Sequence, residues 1–412
     1  MADSPGVLEL THPVRWPVYS ARARARCAEL LAAGRSFDYG HGPEIAALED
    51  EFARRHDRAF ALAVNSGTSA LFLVYQALGI GPGDEVIVAD FTFLATATPL
   101  FWLGATPVLA DSGDDSGCVT ADSISRVLSP RTRAVAVTHL FGHPCDMEPI
   151  RELCDTHGLA LVEDCSHAHG STDAGRSVGT WGDAAVYSIG GLKMVSGGMG
   201  GVLLTDIERL HDLACLAAGF QRRCELTVRS PRLRELSDVG LGGNLRITPL
   251  AAVLALSHLV ELETLVERKR VATEQLRQDL IKLPGLRLPH QRRSVTLGAR
   301  YGVNLVYDES ATGVPRQEII DALRGRGLKV GGPRTLPLHR KSVFAGHPAA
   351  CAADVTTRTG GRAYAYRPSD LPTAERLAAS WLGLPADYLH SECSSLGDLY
   401  AETFGAVWKE LL

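Results

Sequence analysis

The sequence predicts an α/β protein with a mostly parallel central sheet, followed by a smaller α+β domain. Short runs rich in β-branched residues alternate with helical runs between about residues 45 and 210, which is typical of a parallel sheet covered by helices. After Asp206 a polar, turn-rich connection leads to a long run with apolar residues three or four positions apart. We therefore expect an N-terminal arm (1–34), a large domain (35–248) and a C-terminal domain that begins with one long connecting helix (249–412).

The individual elements follow in regular order along the first half of the chain. The stretch EIAALEDEFARRHD has the spacing of an amphipathic helix, and the strand AFALAV then ends in turn residues. The next stretch, TSALFLVYQALG, predicts a helix closed by glycine. Further strands are predicted in GDEVIVADFTF, GATPVLAD, TRAVAVTHLFG, LALVEDCSHAHG, DAAVYSIGG and GGVLLTD.

Five of these predicted strands end at polar or aromatic side chains. The side chains are those of Asn65, Phe93, His139, Asp164 and Ser188. Ligands of open α/β sheets bind beyond the carboxyl ends of the strands. The sequence therefore predicts one shared site at this edge of the sheet.

Composition indicates an ordinary globular protein that acts on a small molecule. The 412 residues carry a net charge of −5, whereas a nucleic-acid partner favours a basic face. No apolar run approaches the roughly 18 residues that span a bilayer, and the opening MADSPGVLELTHPVRW lacks the order of a signal peptide. We expect a cytoplasmic protein with neither a nucleic-acid nor a membrane partner.

The cysteines favour reduced thiols over a disulfide framework or a metal site. They number nine, an odd count, and no CxxC pair occurs among them. The nearby histidines also lack the spacing of metal ligands. We therefore expect no bound metal.

The stretch SIGGLKMVSGGMGGVLLTD sets a single lysine, Lys193, among six glycines. It lacks the dinucleotide fingerprint because a strand, and not a helix, follows the glycines. It lacks the Walker pattern because Met194 follows the lysine in place of Ser or Thr. Glycine allows close approach to the backbone or a positive φ. The lysine is therefore either a surface lysine on a structural hairpin or one that binds pyridoxal phosphate as a Schiff base.

Pyridoxal phosphate requires three further groups, and the strand ends supply them. Asp164 ends the buried run LALVED, where its charge can balance a protonated pyridine nitrogen. Phe93 offers an aromatic face for the ring. Gly67 and Thr68 stand where a helix begins, which is a natural phosphate site, and Ser188 can add a hydroxyl group.

Together these motifs resemble the DegT/DnrJ/EryC1/StrS family of pyridoxal-phosphate sugar aminotransferases, which have the aspartate aminotransferase fold (type I). The resemblance spans residues of about 35 to 390, with the motifs in the family's order. The motifs are NSGTSAL, GDEVIVADFTFLATATPLFWLGATPVLAD, VTHLFGHPCDM, VEDCSHAHG, VGTWGDAAVYS, the Lys193 cluster, GGNLRITPLAAVLALSHL, LPLH and LPTAERLA.

The resemblance implies roles at the cofactor ring for four residues, of which Lys193, Asp164 and His167 are the catalytic ones. Lys193 is the lysine that binds the cofactor and acts as general base, and Asp164 is the partner of the pyridine nitrogen. His167 falls near the ring hydroxyl, and Phe93 matches the aromatic residue that stacks on the ring. Taken singly, Phe93 also fits a plain core position and His167 a structural histidine.

The resemblance also implies contacts with the cofactor phosphate. Gly67, Thr68 and Ser188 match phosphate-binding positions. Asn244 matches an asparagine that reaches the phosphate of the neighbouring subunit, which implies a homodimer with shared active sites. Taken singly, Asn244 is also an ordinary turn residue.

The family implies transfer of an amino group from glutamate or glutamine to a nucleotide-linked keto sugar or a keto-cyclitol. Such reactions belong to amino-sugar and antibiotic biosynthesis. Tyr39, His139 and His339 fall in segments that could line the substrate pocket. The ketone, the stereochemistry and the choice of donor stay open.

The chain departs from the family pattern close to the cofactor lysine. Met199 stands where Glu is common, and the IGGL stretch before Lys193 is smaller and more apolar than usual. An alternative is therefore an enzyme of the same fold that catalyses elimination or replacement. A nicotinamide enzyme and a non-catalytic regulator are two further alternatives, whereas Lys193 argues against the dehydratase branch, in which histidine replaces it.

Overall fold

The computed structural model describes residues 16–347, 365–384 and 394–412. The strands of these parts are Phe60–Val64 (β1), Glu85–Ala89 (β2), Thr106–Ala110 (β3), Thr132–Thr138 (β4), Ala160–Asp164 (β5), Thr172–Asp173 (β6), Arg176–Ser177 (β7), Ala184–Ser188 (β8), Gly201–Thr205 (β9), Leu286–Arg287 (β10), Val295–Thr296 (β11), Val303–Tyr307 (β12) and Trp381–Leu384 (β13).

The helices of the same parts surround these strands. They are Ala21–Ala32 (α1), Pro43–Arg55 (α2), Gly67–Ala77 (α3), Thr98–Trp102 (α4), Ala121–Ser125 (α5), Met147–His157 (α6), Glu208–Ala218 (α7), Arg222–Thr227 (α8), Pro231–Arg234 (α9), Pro249–Val260 (α10), Leu262–Leu280 (α11), Glu309–Thr312 (α12), Arg316–Gly325 (α13), Pro372–Ser380 (α14) and Ser394–Leu411 (α15).

A seven-stranded sheet with the order β1-β9-β8-β5-β4-β2-β3 forms the centre of the large domain. Its neighbours β3, β2, β4, β5 and β8 are parallel, and β9 runs antiparallel to both β8 and β1. The predicted mostly parallel sheet is thus confirmed, with β9 as the strand that returns after the lysine cluster. The carboxyl ends of the parallel strands meet at one edge, where Asp164 and Ser188 end β5 and β8.

Both faces of the sheet are covered by apolar helices. Alternate residues of β9 divide between the faces, since Leu203 packs with the α3 side and Val202 and Leu204 pack with the α2 side. Helix α10 lies against α2 on the second face. It begins as expected, because Pro249 occupies its first turn and the Thr248 hydroxyl accepts the Ala251 N–H.

The predicted long connecting helix is wrong in one respect, because the structure divides it at Glu261. Helices α10 and α11 meet there with a bend of 66°. Each half follows a different layer, since α10 packs on α1 and α2 whereas α11 packs on α15. The apolar spacing is the same in both halves, so the periodicity carries no signal of the bend.

A smaller sheet, β10-β12-β13, supports the C-terminal part of the chain. Its apolar face packs with α11, α13 and α15 in a separate cluster. Within the described ranges, no helix alone is long and apolar enough to cross a membrane, and only the bent pair α10 and α11 reaches that length and composition together.

At Gly201, strand β9 passes directly against the start of α3. A Cβ at Gly201 would lie 2.4 Å from the Ser66 carbonyl oxygen and 2.5 Å from the Gly67 nitrogen, both backbone atoms. We expect Gly201→Ala to lower the free energy of unfolding by about 1–3 kcal/mol, the usual cost of overpacking, as measured by urea denaturation.

Gly81→Ala is the matched control, because a Cβ at Gly81 meets no atom within 4 Å. Its free energy of unfolding should stay within about 0.5 kcal/mol of the parent protein. Equal losses in the two variants would contradict the close approach of β9 to α3.

Candidate active site

A cavity of about 540 Å³ opens at the carboxyl edge of the central sheet. Its wall contains seven of the eleven residues that the sequence predicts for the site, and Tyr301, Arg334 and Thr335 complete it from the C-terminal part. Three of the five predicted strand-end residues, Phe93, Asp164 and Ser188, thus border one cavity, whereas Asn65 and His139 do not line it. The seven residues are Gly67, Thr68, Phe93, Asp164, His167, Ser188 and Lys193.

One end of the cavity is the N-terminus of α3. The Ser66 hydroxyl caps this helix by accepting the Ser69 N–H at 3.0 Å. This cap leaves the N–H groups of Gly67 and Thr68 without an intrahelical acceptor. Two backbone donors at the positive end of an eleven-residue helix suit a phosphate group.

Ser188 lies directly against this helix start. A Cβ at Gly67 would lie only 3.0 Å from the Ser188 Cβ and 3.3 Å from its Cα. Glycine at position 67 thus permits β8 and α3 to approach each other closely. As a result, one hydroxyl group and two backbone N–H groups border the same end of the cavity.

Asp164 is a buried carboxylate that a chain of three threonines supports. Its Oδ2 accepts the Thr96 hydroxyl at 2.8 Å, and its Oδ1 accepts the Ser166 N–H at 3.1 Å. Because the Thr96 hydroxyl donates its hydrogen to Asp164, the Thr92 hydroxyl, 2.9 Å away, donates to Thr96. The Thr138 hydroxyl in turn donates to Thr92 at 2.7 Å. This ordered chain stabilises a negative charge on Asp164.

Lys193 lines the same cavity, where the residue is partly exposed but its amine is desolvated. Burial lowers the pKa of its amine to about 7, while the Asp164 carboxylate opposes this shift and the Arg334 guanidinium adds to it. The Nζ atom lies 4.2 Å from the centre of the Tyr301 ring. Near neutral pH a large part of this amine is therefore unprotonated and nucleophilic.

His167 is held between two aromatic rings. It stacks on Phe141 at 5.6 Å and on Tyr301 at 4.4 Å between ring centres. Its Nδ1 accepts the Phe141 N–H at 3.5 Å, so the neutral ring carries its hydrogen on Nε2. Burial, with the nearby Lys193 and Arg334, lowers the pKa of His167 well below its usual value. The site thus contains a neutral histidine with one donor nitrogen.

Phe93 lines the cavity and is half exposed. It follows β2 after a bend and precedes the short 3₁₀ turn Leu94–Thr96. Its ring is therefore available to a bound ligand, as the sequence predicts for an aromatic residue at this position.

Four of the predicted site residues do not line the cavity of their own chain, and Tyr39 and Asn244 are two of them. Tyr39 is exposed, and the Arg246 guanidinium lies 4.6 Å above its ring. The Asn244 Oδ1 accepts the Arg246 Nε–H at 3.1 Å. The three side chains form one surface group, which we call the Tyr39–Asn244–Arg246 cluster.

His139, the third, is fully buried against Glu163 and not in the expected substrate pocket. With Cys165 these residues place three potential metal ligands within 4.8 Å of one another. Both Glu163 oxygens are already occupied, which makes this carboxylate a structural anchor. Its four donors are the Gly179, Trp181 and Gly182 N–H groups and His139 Nε2.

His339, the fourth, acts behind the cavity wall. Its Nδ1 lies 2.7 Å from Asp90 Oδ2, and its Nε2 lies 2.5 Å from Glu375 Oε1. Burial lowers the pKa of His339, but the two carboxylates raise it more, so the net shift is upward. His339 thereby ties the segment that carries Arg334 and Thr335 to the end of β2.

Sequence reasoning missed Tyr301, Arg334 and the Thr92–Thr96 pair. Tyr301 and Arg334 come from irregular segments far along the chain, where no periodicity marks them. The GGPRTLPLH stretch gave a partial signal, since its LPLH motif pointed to this segment but to His339 in place of Arg334. Thr92 and Thr96 lie in the FTFLAT motif, from which the aromatic residue alone was selected.

The site fits pyridoxal phosphate. The α3 N-terminus suits the phosphate, the buried Asp164 suits a protonated ring nitrogen, and Lys193 is a buried amine with a lowered pKa. These three groups border one cavity. The donor set and its charges therefore match the cofactor that the sequence implies.

Comparisons with known proteins agree with this geometry. A model of the DegT/DnrJ/EryC1/StrS aminotransferase family matches residues 21–385. A Micromonospora echinospora protein, provisionally named an L-glutamine:3-amino-2,3-dideoxy-scyllo-inosose aminotransferase, is 31% identical over 90% of this chain and 90% of its own length. The GDP-perosamine synthase of Vibrio cholerae is 30% identical over 87% of this chain and 91% of its own.

The fold also matches a solved structure. The X-ray structure of an aminotransferase from Psychrobacter cryohalolentis superposes with a TM-score of 0.83 at 27% identity, over 96% of this chain and 98% of that one. The expected fold is thereby confirmed.

The charges around Lys193 predict how its reactivity changes with pH. In the cofactor-free protein, acetylation of Lys193 by a brief pulse of acetic anhydride should rise with pH around a midpoint of about 7. Asp164→Asn should move the midpoint to lower pH, because a negative charge that stabilises the ammonium form is lost. Arg334→Gln should move it to higher pH, because a positive charge that opposes that form is lost.

Mass spectrometry of the Lys193 peptide gives this midpoint directly. Arg367 is exposed and pairs with Asp370. Arg367→Gln is therefore the control variant and should leave the midpoint of Lys193 acetylation unchanged. A midpoint near the ordinary lysine value of about 10.4, or shifts of the same sign in both site variants, would contradict the assigned environment.

Proposed function

Because this chain belongs to the DegT/DnrJ/EryC1/StrS aminotransferase family and is a pyridoxal-phosphate-dependent aminotransferase, we propose that it transfers an amino group from glutamate or glutamine to a keto sugar or keto-cyclitol. The names of two relatives support these classes, since one contains L-glutamine and scyllo-inosose and the other GDP-perosamine. The observation that carries the proposal is the buried Lys193 amine, which shares one cavity with Asp164 and the α3 N-terminus.

When bound, the cofactor supplies an electron-withdrawing ring that stabilises negative charge at the reacting carbon of the substrate. Asp164 would face the ring nitrogen, and the Thr96 and Ser166 hydrogen bonds hold its carboxylate in place. Gly67 and Thr68 would hold the phosphate through their N–H groups, together with the Ser188 hydroxyl. These residues would bind the cofactor at both of its ends.

Lys193 moves the proton in both halves of the reaction. With a pKa of about 7, its amine can take a proton from the donor carbon and return one near neutral pH. His167 would offer its Nε2 hydrogen to the bound cofactor. Phe93, half exposed in the cavity wall, would offer its aromatic face to the cofactor ring. The transfer is ping-pong, because the keto acid formed from the amino donor leaves before the ketone binds, and Lys193 serves both half-reactions.

The enzyme is proposed to be a cytoplasmic homodimer with shared active sites. The Tyr39–Asn244–Arg246 cluster lies outside the cavity of its own chain, where it can serve a neighbouring one. Within the described ranges, the buried Arg246 Nη1 finds no hydrogen-bond acceptor, and exposed apolar side chains, Val239 and Leu241, lie nearby in the chain. Free cysteines in the described parts suit a reducing compartment.

Lys193→Ala tests the reaction itself. The purified protein should show the visible band of lysine-bound cofactor, and glutamate or glutamine should convert it to the band of the amine form. Lys193→Ala should lose or alter the first band and lower kcat by several orders of magnitude, because the cofactor anchor and the base are lost together. Absorbance spectroscopy and steady-state assays measure both effects.

Lys282→Ala is the control, because Lys282 is an exposed lysine that pairs with Asp279 at the C-terminal end of α11. Its spectrum and kcat should match those of the parent protein. Release of a keto acid or an eliminated group, with no conversion to the amine form by either donor, would favour elimination or replacement and contradict transamination.

Mixed dimers test the role of Asn244. Asn244→Ala should weaken phosphate binding in the site of the neighbouring subunit, and Lys193→Ala should inactivate its own site. A dimer that combines one copy of each variant therefore carries one site with both defects and one intact site. Mixing the two purified variants under conditions of subunit exchange should raise activity above that of either variant alone.

The amount restored depends on the fraction of hybrid dimers, which differently tagged subunits can quantify. Lys193→Ala mixed with His167→Ala serves as the control, because both defects lie in the cavity of their own chain and each hybrid site keeps one of them. Hybrid dimers of the Asn244 mixture that stay as inactive as those of the control mixture would contradict shared sites.

A further inference from the structure

The loop that carries Lys193 has little regular structure of its own. It spans the residues between β8 and β9, and it contains five of the six glycines of the lysine cluster. Few backbone bonds hold it, such as those from the Lys193 N–H to the Gly190 oxygen and from the Gly197 N–H to the Ile189 oxygen. Glycine-rich backbone has wide conformational freedom, so the lysine needs support from elsewhere.

The segment 16–19 supplies a direct contact to this lysine. The indole Nε1–H of Trp16 donates to the Lys193 carbonyl oxygen at 2.8 Å. Trp16 is only 8% exposed and packs in the same apolar cluster as Met194 and Val195, the next two residues of the loop. The bond therefore lies in a mostly dry environment, where it is stronger than in water.

His258 of α10 ties the same segment to the loop a second time. Its Nδ1 accepts the Ser196 N–H at 3.2 Å, and its Nε2–H donates to the Val18 oxygen at 2.9 Å. An amide N–H can only donate and a carbonyl oxygen only accept, so this is the neutral form with hydrogen on Nε2. Burial agrees, because it lowers the pKa of His258.

Two aromatic rings hold His258 in this position. Trp16 stacks on one side at 4.8 Å between ring centres, and Tyr19 stacks at 4.9 Å. The Tyr19 hydroxyl also lies 3.3 Å from the Ser196 hydroxyl. The segment thus contacts the loop at Lys193 and at Ser196, the residues that flank Met194 and Val195.

We propose that residues 16–19 form a brace for the cofactor lysine and that Trp16 is a positioning residue for catalysis. The inference rests on the proposed action of Lys193 in transamination. Trp16 touches no substrate, and it acts by fixing the backbone of Lys193 through the carbonyl oxygen. The side chain remains able to swing between its partners, while its Cα stays in place. Since displacement of a catalytic group by about 1 Å can cost 100-fold in rate, such a brace affects turnover.

Trp16→Phe tests the brace, because it keeps an aromatic ring for the stack on His258 and removes the N–H donor. We expect kcat to fall about 10- to 100-fold, with both half-reactions slowed by the same factor and the KM for donor and ketone unchanged. An equal loss in both halves is the signature of Lys193, which serves both. A defect in a substrate pocket would raise one KM.

Hydrogen exchange of the cofactor-free protein gives a readout independent of activity. In Trp16→Phe the amides of residues 190–200 should exchange faster than in the parent protein, while those of β4 and β5 keep their rates. This readout holds even if the donor or ketone is misassigned, so failure of the brace and failure of the proposed function are distinguishable.

Trp102→Phe is the matched control, because Trp102 is 61% exposed on α4 and lies outside the cavity wall. It should change neither kcat nor the exchange of the loop. Parent-like kcat and loop exchange in Trp16→Phe would overturn the proposal. A uniform rise of exchange in all strands would also overturn it, because Trp16 would then be a core residue without a specific action on the loop.

Discussion

The burial of an ionised carboxylate at the end of β5 is the constraint on which the rest of the site depends. A buried charge is costly unless hydrogen bonds and an opposite charge compensate it. Asp164 obtains hydrogen bonds from Thr96 and Ser166, and the order of donors runs back through Thr92 to Thr138 at the end of β4. The parallel sheet therefore does more than bring strand ends together, because Thr138 at the end of the neighbouring strand β4 also takes part in stabilising the Asp164 charge.

The same charge raises the pKa of the Lys193 amine against the effect of its burial. Asp164 favours the protonated form of Lys193, while burial and Arg334 favour the neutral amine, and the balance gives a pKa of about 7. The Tyr301 ring contacts three groups of the cavity, since it stacks on His167 and also faces the Lys193 amine and the Arg334 guanidinium. Two parts of the chain thus meet at one ring. The pKa of the Lys193 amine therefore depends on residues of both parts, Asp164 and Arg334.

Local sequence patterns were sufficient for the large-domain half of the site and insufficient for the other half. Asp164, Ser188 and Gly67 each follow or precede a recognisable strand or helix, and parallel topology then forces them together. Tyr301 and Arg334 lie in irregular segments, and only the tertiary fold brings them to the cavity. His139 illustrates the opposite error, because a polar residue after a strand can equally turn inward, here to Glu163. The sequence did not predict the bend at Glu261, because helical periodicity continues through it.

The glycines near Lys193 allow close packing at two places. Gly201 and Gly67 allow β9, β8 and α3 to approach one another, and within the loop a Cβ at Gly197 would lie 2.6 Å from the Ala251 carbonyl oxygen. Met199 takes no part in this packing, since it is 68% exposed in the cavity wall, at the position where the family resemblance predicts Glu. A methionine adds no negative charge to a wall that contains Arg334 and the positive end of α3. Compared with the expected glutamate, Met199 therefore makes this wall less negative, while Asp164, Lys193 and the α3 N-terminus keep the positions described above.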